Sequence, residues 1–321
     1  MSTRWLRWNI SADSVMSSVT LLLPERHCLL GTLRGDAVVR ALARADRITG
    51  GCGERAQLGR HFELVPASWP VAALTRQIDV GDAAGAAWVR ADPAYVVPDM
   101  GAARLVACGE MLALDAKDQA ALLSELQTLF SEAGLLLDAP TPARWYVQLT
   151  PEACLPAFSA PEDVLGDDLF NHLPDGDMGR FWRALLTEVQ VLLHQHAWNV
   201  ERVARGKQMV NSLWFWGAGV LPHTVMTPHR QVRSRDVLLR ALAKASGSDT
   251  DSLHMVDALV DLRHLRSLTQ FSDEVVAPLL AAMGRGELKQ LVLDFRDGEI
   301  LTMTRAHRWR FWCGARTQLA D

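Results

Sequence analysis

Apolar positions in this chain switch repeatedly between the spacing of strands and that of helices. Ser18–Leu23 (SVTLLL) is a short apolar run stopped by Pro24 and reads as a first buried strand. Asp36–Asp46 has helical spacing with arginines on its polar face, and Asp36 follows Gly35 as a helix N-cap. Ala87–Arg90 reads as a strand turned by Ala91-Asp92-Pro93, with further short strands at Val96–Pro98 and Arg104–Ala107. Ala116–Glu132 is a helix by its apolar face (Leu122, Leu126, Phe130), with Asp115 as N-cap and Gly134 as its stop. Arg144–Leu149 alternates as a strand. After a connection rich in proline, aspartate and glycine, Asp177–His196 reads as the longest helix, capped by Asp177. Helices are also expected at Asp236–Ala245 and Glu274–Met283. Gln290–Asp294 and Glu299–Thr304 form a hairpin across Asp297-Gly298, and Arg308–Trp312 adds a last short strand.

The stretch Gln190–Pro222 stands out within this pattern. A helix leads through Arg205-Gly206-Lys207 into the apolar run Val210–Trp216, which leaves through Gly217-Ala218-Gly219. Helix, buried strand and glycine turn form the unit from which open α/β sheets are built, and ligands sit at the strand ends of such sheets. Asn199 and Arg202 lie three apart and share a helix face. Lys207, Asn211, Trp216, Gly217 and Gly219 follow, so the stretch is a candidate anion pocket in which Arg202 and Lys207 hold a phosphate or carboxylate. The structural alternative is that the two asparagines bond backbone and fix the bend. The layout is α/β: a core over residues 1–61 and 144–321, with a smaller inserted α+β subdomain over 62–143.

Composition narrows the function classes. With 321 residues, 49% hydrophobic, 22% charged and a net charge of −4, the chain has ample material for a core and no basic bias toward nucleic acid. No apolar run is long enough for a membrane span, and a cytoplasmic location is expected. The five cysteines are scattered without CxxC spacing and read as reduced thiols. The eleven tryptophans are dispersed over the chain, which favours packing over one aromatic platform.

Other candidate chemistry is thinner. Thr49–Gly59 carries four glycines, but GGCG fits neither GxxxxGK(S/T) nor GxGxxG and reads as a flexible connection. His194 and His196 point about 200° apart on a helix and cannot chelate one ion. His223 and His229 share a loop and are candidates for one metal. Asp167, Asp168, Asp175 and Asp177 are candidate oxygen ligands, with solvated or capping roles as the alternative. Asp294 ends a strand, where an α/β metal enzyme places ligands. His27 and Cys28 are adjacent, which fixes no geometry.

The stretch HAWNVERVARGKQMVNSLWFWGAGVLP resembles the segment H-P-x-N-x-x-R…G-K…A-N-x-x-W-x-W-G-x-G-x-x-P of archaeal-type cofactor-independent phosphoglycerate mutases. The matching positions are His196, Asn199, Arg202, Gly206, Lys207, Asn211, Trp214, Trp216, Gly217, Gly219 and Pro222, while Ala197 replaces a proline and Val210 an alanine. The chain is also similar to bacterial RpfE-type regulatory proteins in its length, its NSLWFWG strand, its Leu22-Leu23-Pro24 start and its Arg310-Phe311-Trp312 end. The resemblance implies an alkaline-phosphatase-like open α/β sheet with helices on both faces. Mutases of that type use two divalent metals and a phosphorylated serine. Their first strand ends in a metal-binding Asp-Gly where this chain has Leu22-Leu23-Pro24, and their late Asp-x-x-x-His and Asp-His motifs have no counterpart between His254 and His307. The resemblance therefore implies a degenerate member: a regulatory protein binding a phosphorylated metabolite or a protein partner, with no cofactor. Mn or Mg enters only under the alternative, an active phosphoglycerate mutase or phosphomonoesterase.

Overall fold

The computed structural model describes residues 17–99, 101–250, 256–310 and 319. In chain order its elements are β1 (Ser17–Leu23), α1 (Asp36–Arg44), β2 (Asp46–Thr49), α2 (Glu54–Gly59), β3 (Glu63–Val65), α3 (Val71–Asp79), β4 (Ala87–Asp99), β5 (Ala102–Cys108), α4 (Ala116–Glu132), β6 (Leu136–Thr141), β7 (Arg144–Leu149), α5 (Pro161–Val164), α6 (Gly176–Gln195), α7 (Ala197–Ala204) and β8 (Ser212–Gly219). They continue with β9 (Thr224–Met226), β10 (Gln231–Arg233), α8 (Val237–Ser246), β11 (Ala258–Asp261), α9 (Leu268–Gln270), α10 (Ala277–Arg285), β12 (Leu288–Phe295) and β13 (Glu299–Thr304). The fold is mixed α/β. It divides into a first unit, residues 1–65 and 224–321, and a second, residues 66–223.

The first unit is built on a six-stranded sheet in the order β10-β11-β1-β12-β13-β2. The four strands β10, β11, β1 and β12 run parallel, and β13 and β2 add antiparallel strands at one edge. Val19, Leu21 and Leu23 point into a core shared with α1, α10 and the alternate residues of β11 and β12. Leu22 and Leu259, facing the other way, are also fully buried. Both faces of the sheet are therefore covered, which is why these strands read as continuous apolar runs instead of alternating ones. The expected hairpin is present as β12 and β13, and the first strand lies at the centre of the sheet.

The second unit is a five-stranded antiparallel sheet, with β5, β7 and β8 all paired to β4 and β6 paired to β7. Helices α4 and α6 bury Leu122, Leu126, Phe130, Trp182 and Val189 with the sheet residues Trp145, Val147 and Phe215. The expected N-cap Asp115 accepts from the Lys117 and Asp118 N–H groups, and Asp118 returns the bond to close a capping box.

Five sequence expectations differ from the structure. Residues 144–223 cluster with 66–143 because β7 and β8 pair with β4, so the second unit extends to His223 and not to 143. Ala91-Asp92-Pro93 does not turn the chain: β4 runs through it. On one side of β4 the β7 pairing ends at Arg90 and the β5 pairing begins at Ala94, leaving a break at Pro93, while on the other side Pro93 stands in register with Leu213 of β8. Asp36 and Asp177 lie in the first turns of their helices, with Gly35 and Asp175 at the N-cap positions. Residues Phe271–Val276 form a π-helical turn before α10 instead of a continuous α-helix. Arg305–Trp309 is a 3-10 turn, and the rest of the expected last strand, like His254, lies outside the described residues.

Candidate functional site

At the carboxyl ends of the parallel strands of the first unit, Asp261 and Asp294 both stand in register with Leu22 of β1 between them. Cross-strand neighbours project to the same face, so the two carboxylates flank an apolar side chain at one level of the sheet. Helix α2 closes over this edge because its buried Gln57 donates to the Leu23 carbonyl (3.0 Å) and the Asp294 carbonyl (2.7 Å), tying the helix to the ends of β1 and β12. The helix stops at Gly59, and the next two residues reach Asp294.

Asp294 is buried, at 1% exposure. Arg60 grips it with two parallel bonds, Nε to Oδ2 at 2.9 Å and Nη2 to Oδ1 at 2.6 Å. This forked geometry is the strong form of a carboxylate–guanidinium pair. His61 Nε2 lies 2.7 Å from Asp294 Oδ2, and His61 Nδ1 lies 3.0 Å from His229 Nε2. Asp294, His61 and His229 thus form a carboxylate–imidazole–imidazole chain. Burial, and then the neighbouring His61, lower the pKa of His229 to about 4. A cleft of about 320 Å³ opens beside this chain, lined by Arg60, His61, Glu63 and Thr227 among others.

The second carboxylate is organised in the same way. Asp261 accepts from Arg263 Nε (2.9 Å) and Nη2 (3.1 Å) and from the Ser234 hydroxyl (2.6 Å). Burial opposes its ionisation, but Arg263 outweighs that and holds the carboxyl below its usual range. Arg263 also donates to Glu54 at 2.7 Å. Nearby Asp236, the N-cap of α8, is driven the other way: burial raises its pKa, with Glu54 and Asp261 adding to the effect.

A divalent cation needs carboxylate oxygens or imidazole nitrogens turned toward a common open point. Asp294 and Asp261 each present both oxygens to an arginine fork, and one oxygen of each also meets a further group, His61 and Ser234 respectively. Two guanidinium groups supply the positive charge these carboxylates require. The residues therefore do not fit the two-metal centre that the family resemblance would bring. Among the described residues, the group with ligand-like spacing is Glu25, His27 and Cys28, just after β1. His27 is 73% exposed there and stands in solvent.

The stretch expected to form an anion pocket has a different use. Strand β8 belongs to the antiparallel sheet of the second unit, so its end is not the carboxyl edge of a parallel sheet. Arg202 is fully buried against Asp118, which is also at 0% exposure, and donates to the Gln208 and Leu112 carbonyls. Lys207 reaches Asp115 (3.1 Å) and Asp118 (3.2 Å). Asn199 bonds the Leu193 carbonyl and both polar groups of the Val210 backbone, and Asn211 bonds both polar groups of Val96. Trp216 donates to Asp92 at 2.8 Å. A Cβ on Gly217 (φ +64°) would lie 2.9 Å from the Val71 side chain, and one on Gly219 (φ +144°) 2.9 Å from Pro70. These seven residues join helix, strand and sheet, and the carboxylate of Asp118 is the anion that Arg202 and Lys207 meet.

Of the other candidates, Asp294 and His229 are brought together, through His61. His229 thus spends its Nε2 on an imidazole, and His223 closes the second unit in an exposed position. The aspartates of the proline-rich connection are used locally: Asp167 by His172, Asp168 as the cap of a 3-10 turn, and Asp177 by Arg180. Sequence reasoning missed Arg60, His61, Asp261 and Arg263. The available signals were the Arg60-His61 pair closing the glycine-rich connection and the Asp261-Leu262-Arg263 spacing at the end of an apolar run.

No protein-family model matches the chain. It is 39% identical over 62 residues to the 2,3-bisphosphoglycerate-independent phosphoglycerate mutase of Methanosarcina mazei, covering 19% of this chain and 16% of that one. Against the enzyme of the same description from Methanothrix thermoacetophila it is 30% identical over 142 residues, 43% of this chain and 34% of that one. Against a probable enzyme of this kind from Geobacter sulfurreducens it is 25% identical over 114 residues, 34% and 29% of the two chains. The matches thus span from 16% to 34% of these relatives' lengths. Among solved structures, a cofactor-independent phosphoglycerate mutase from Thermoplasma acidophilum aligns over 90% of both chains at 16% identity, with a TM-score of 0.39. The PH0037 protein from Pyrococcus horikoshii aligns over 95% of this chain and 91% of that one at 11% identity, with a TM-score of 0.44. Over part of its length, then, the chain is similar in sequence to phosphoglycerate mutases that work without 2,3-bisphosphoglycerate.

Proposed function

We propose that this chain keeps a phosphoglycerate-mutase-like scaffold of the alkaline-phosphatase-like type, has lost two-metal phosphoryl transfer, and acts in regulation by binding a small phosphorylated metabolite. The observation that carries this reading is the paired arginine forks on Asp261 and Asp294. They neutralise the two strand-end carboxylates and leave no shared open position for a metal. Without a metal there is no Lewis acid to polarise a phosphoryl oxygen or lower a nucleophile's pKa. The cleft beside Arg60 and His61 is polar, lined also by Glu63 and Thr227, and on this reading the outer edge of the Arg60 guanidinium meets the phosphate.

The reading is tested by assaying the purified chain for mutase and phosphomonoesterase turnover with and without Mn, and by titrating it with 3-phosphoglycerate. It expects no Mn-dependent turnover, and 3-phosphoglycerate binding that weakens at least tenfold in Arg60→Gln. Mn-dependent turnover abolished by Asp294→Asn would reinstate the alternative of an active mutase or phosphatase. Equal binding by wild type and Arg60→Gln would remove the cleft from the account.

A further inference from the structure

A second hollow lies at the other end of the same sheet. Strand β13 is antiparallel to β12, and its last residue Thr304 pairs with Gln290 near the start of β12. Asp294, four residues further along β12, is thus about 13 Å away at strand rise. The hollow has a volume of about 300 Å³ and is walled by α1, α10, the end of β13 and the 3-10 turn after it.

Its floor and its rim are chemically opposite. Ala41, Leu280, Met283 and Met303 form an apolar floor. Arg40, Arg44, Arg305 and Arg308 stand around it, and no carboxylate is among the described lining residues, although Arg40 lies 3.5 Å from Asp36 outside the hollow. Among the described residues, two polar atoms of the lining are buried without a hydrogen-bond partner: the Nε–H of Arg44 and Nδ1 of His307. His307 is fixed from its other side, with Nε2 3.2 Å from Asp46. A buried, unpaired guanidinium donor costs free energy unless a partner meets it. Four guanidinium groups over an apolar floor, with the unpartnered buried Nε–H of Arg44 among the lining, call for a ligand with a negative head and an apolar body.

We infer that this hollow is a binding site for a small amphipathic anion, a single-chain carboxylate of medium length. The carboxylate takes the Arg44 Nε–H and the rim arginines, and the chain lies on the methionine and leucine floor. The volume is at the small end of ligand pockets, which run to roughly 300–1,000 Å³, so the site suits one short chain and not a two-chain lipid. The site is independent of the strand-end carboxylates and of any role assigned to them.

Gly284 gives a clean test. It lines the hollow, is exposed on α10, and a Cβ placed on it would meet nothing within 4 Å. Gly284→Leu therefore puts a side chain at the hollow from a position where the Cβ itself meets nothing, and replaces a poor helix former with a good one. Calorimetric titration of the full chain with octanoate is expected to show one saturable site. Acetate and 1-octanol, which each lack one half of the chemistry, are expected to bind at least tenfold more weakly. Gly284→Leu should abolish octanoate binding while its thermal midpoint stays the same or rises, and Arg44→Gln with Arg308→Gln should weaken binding at least tenfold. No saturable octanoate binding, equal binding of 1-octanol, or full binding by folded Gly284→Leu would each overturn the inference. Arg308 is exposed, so Arg308→Gln alone still decides the role of charge if another variant fails to fold.

Discussion

Asp118 shows how a buried charge becomes a structural element. Burial alone would raise its pKa, yet donors from Trp198, the Asp115 N–H, Arg202 and Lys207 hold it down to about 2. An unfolded aspartate near 3.8 binds a proton that the native carboxylate refuses. The stabilisation is therefore complete above about pH 4 and is lost as pH falls toward 2. Removing Arg202 leaves the buried Asp118 with Lys207 at 3.2 Å as its remaining cation, so Arg202→Met should cost up to about 3–5 kcal/mol in chemical denaturation, with much less added by Asp118→Asn in the same chain. His229 carries a prediction of the same sign in a higher pH window. Its native pKa of about 4 lies below the ordinary 6.5, so the unfolded chain takes up a proton first and stability falls as pH drops from 6.5 to about 4. His229→Gln should flatten stability against pH across that window; an unchanged slope would place the imidazole outside the buried chain with His61.

At the scale of elements, β8 depends on having no side chain at two points. Gly217 and Gly219 lie at positive φ, and a Cβ on either would press on α3 or the Pro70 that precedes it. Gly217→Ala should destabilise the second unit by about 1–3 kcal/mol through backbone strain and overpacking, read as a lower midpoint in urea. These glycines were legible in the sequence as a motif, but their meaning was not. A glycine ending a strand looks the same whether it cradles a ligand or admits a helix, and only the antiparallel pairing of β8 with β4 separates the two. Elements with a strong local signature were readable: the Asp115 cap of α4, the hairpin turn at Asp297-Gly298, and β1 stopped by Pro24. The cluster at the strand ends was not, because Arg60, His61, His229 and Asp294 meet across up to 234 residues of chain. No periodicity records such a separation. Asp294 and His229 could be singled out one by one, but His61 joins them only once Gln57 has docked α2 on the sheet.

At the scale of the whole molecule, two units share one chain, and each has its own core and its own use of buried arginine. In the second, Arg90 and Arg202 lock sheet and helices through Asp92 and Asp118. In the first, Arg60 and Arg263 stand on the two carboxylates at the edge where open α/β sheets bind ligands. On the proposed reading, the tethered guanidinium groups of Arg60 and Arg263 supply the positive charge that a divalent ion would bring to the buried Asp294 and Asp261. The central claim is thus that the cations of this edge are part of the polypeptide. It is tested most directly by counting Mn²⁺ bound to the purified chain by electron paramagnetic resonance, in wild type and in Asp294→Asn. The account predicts that free Mn²⁺ is undiminished at stoichiometric protein, and equally so for both chains. One or two Mn²⁺ held per wild-type chain and released by Asp294→Asn would contradict it.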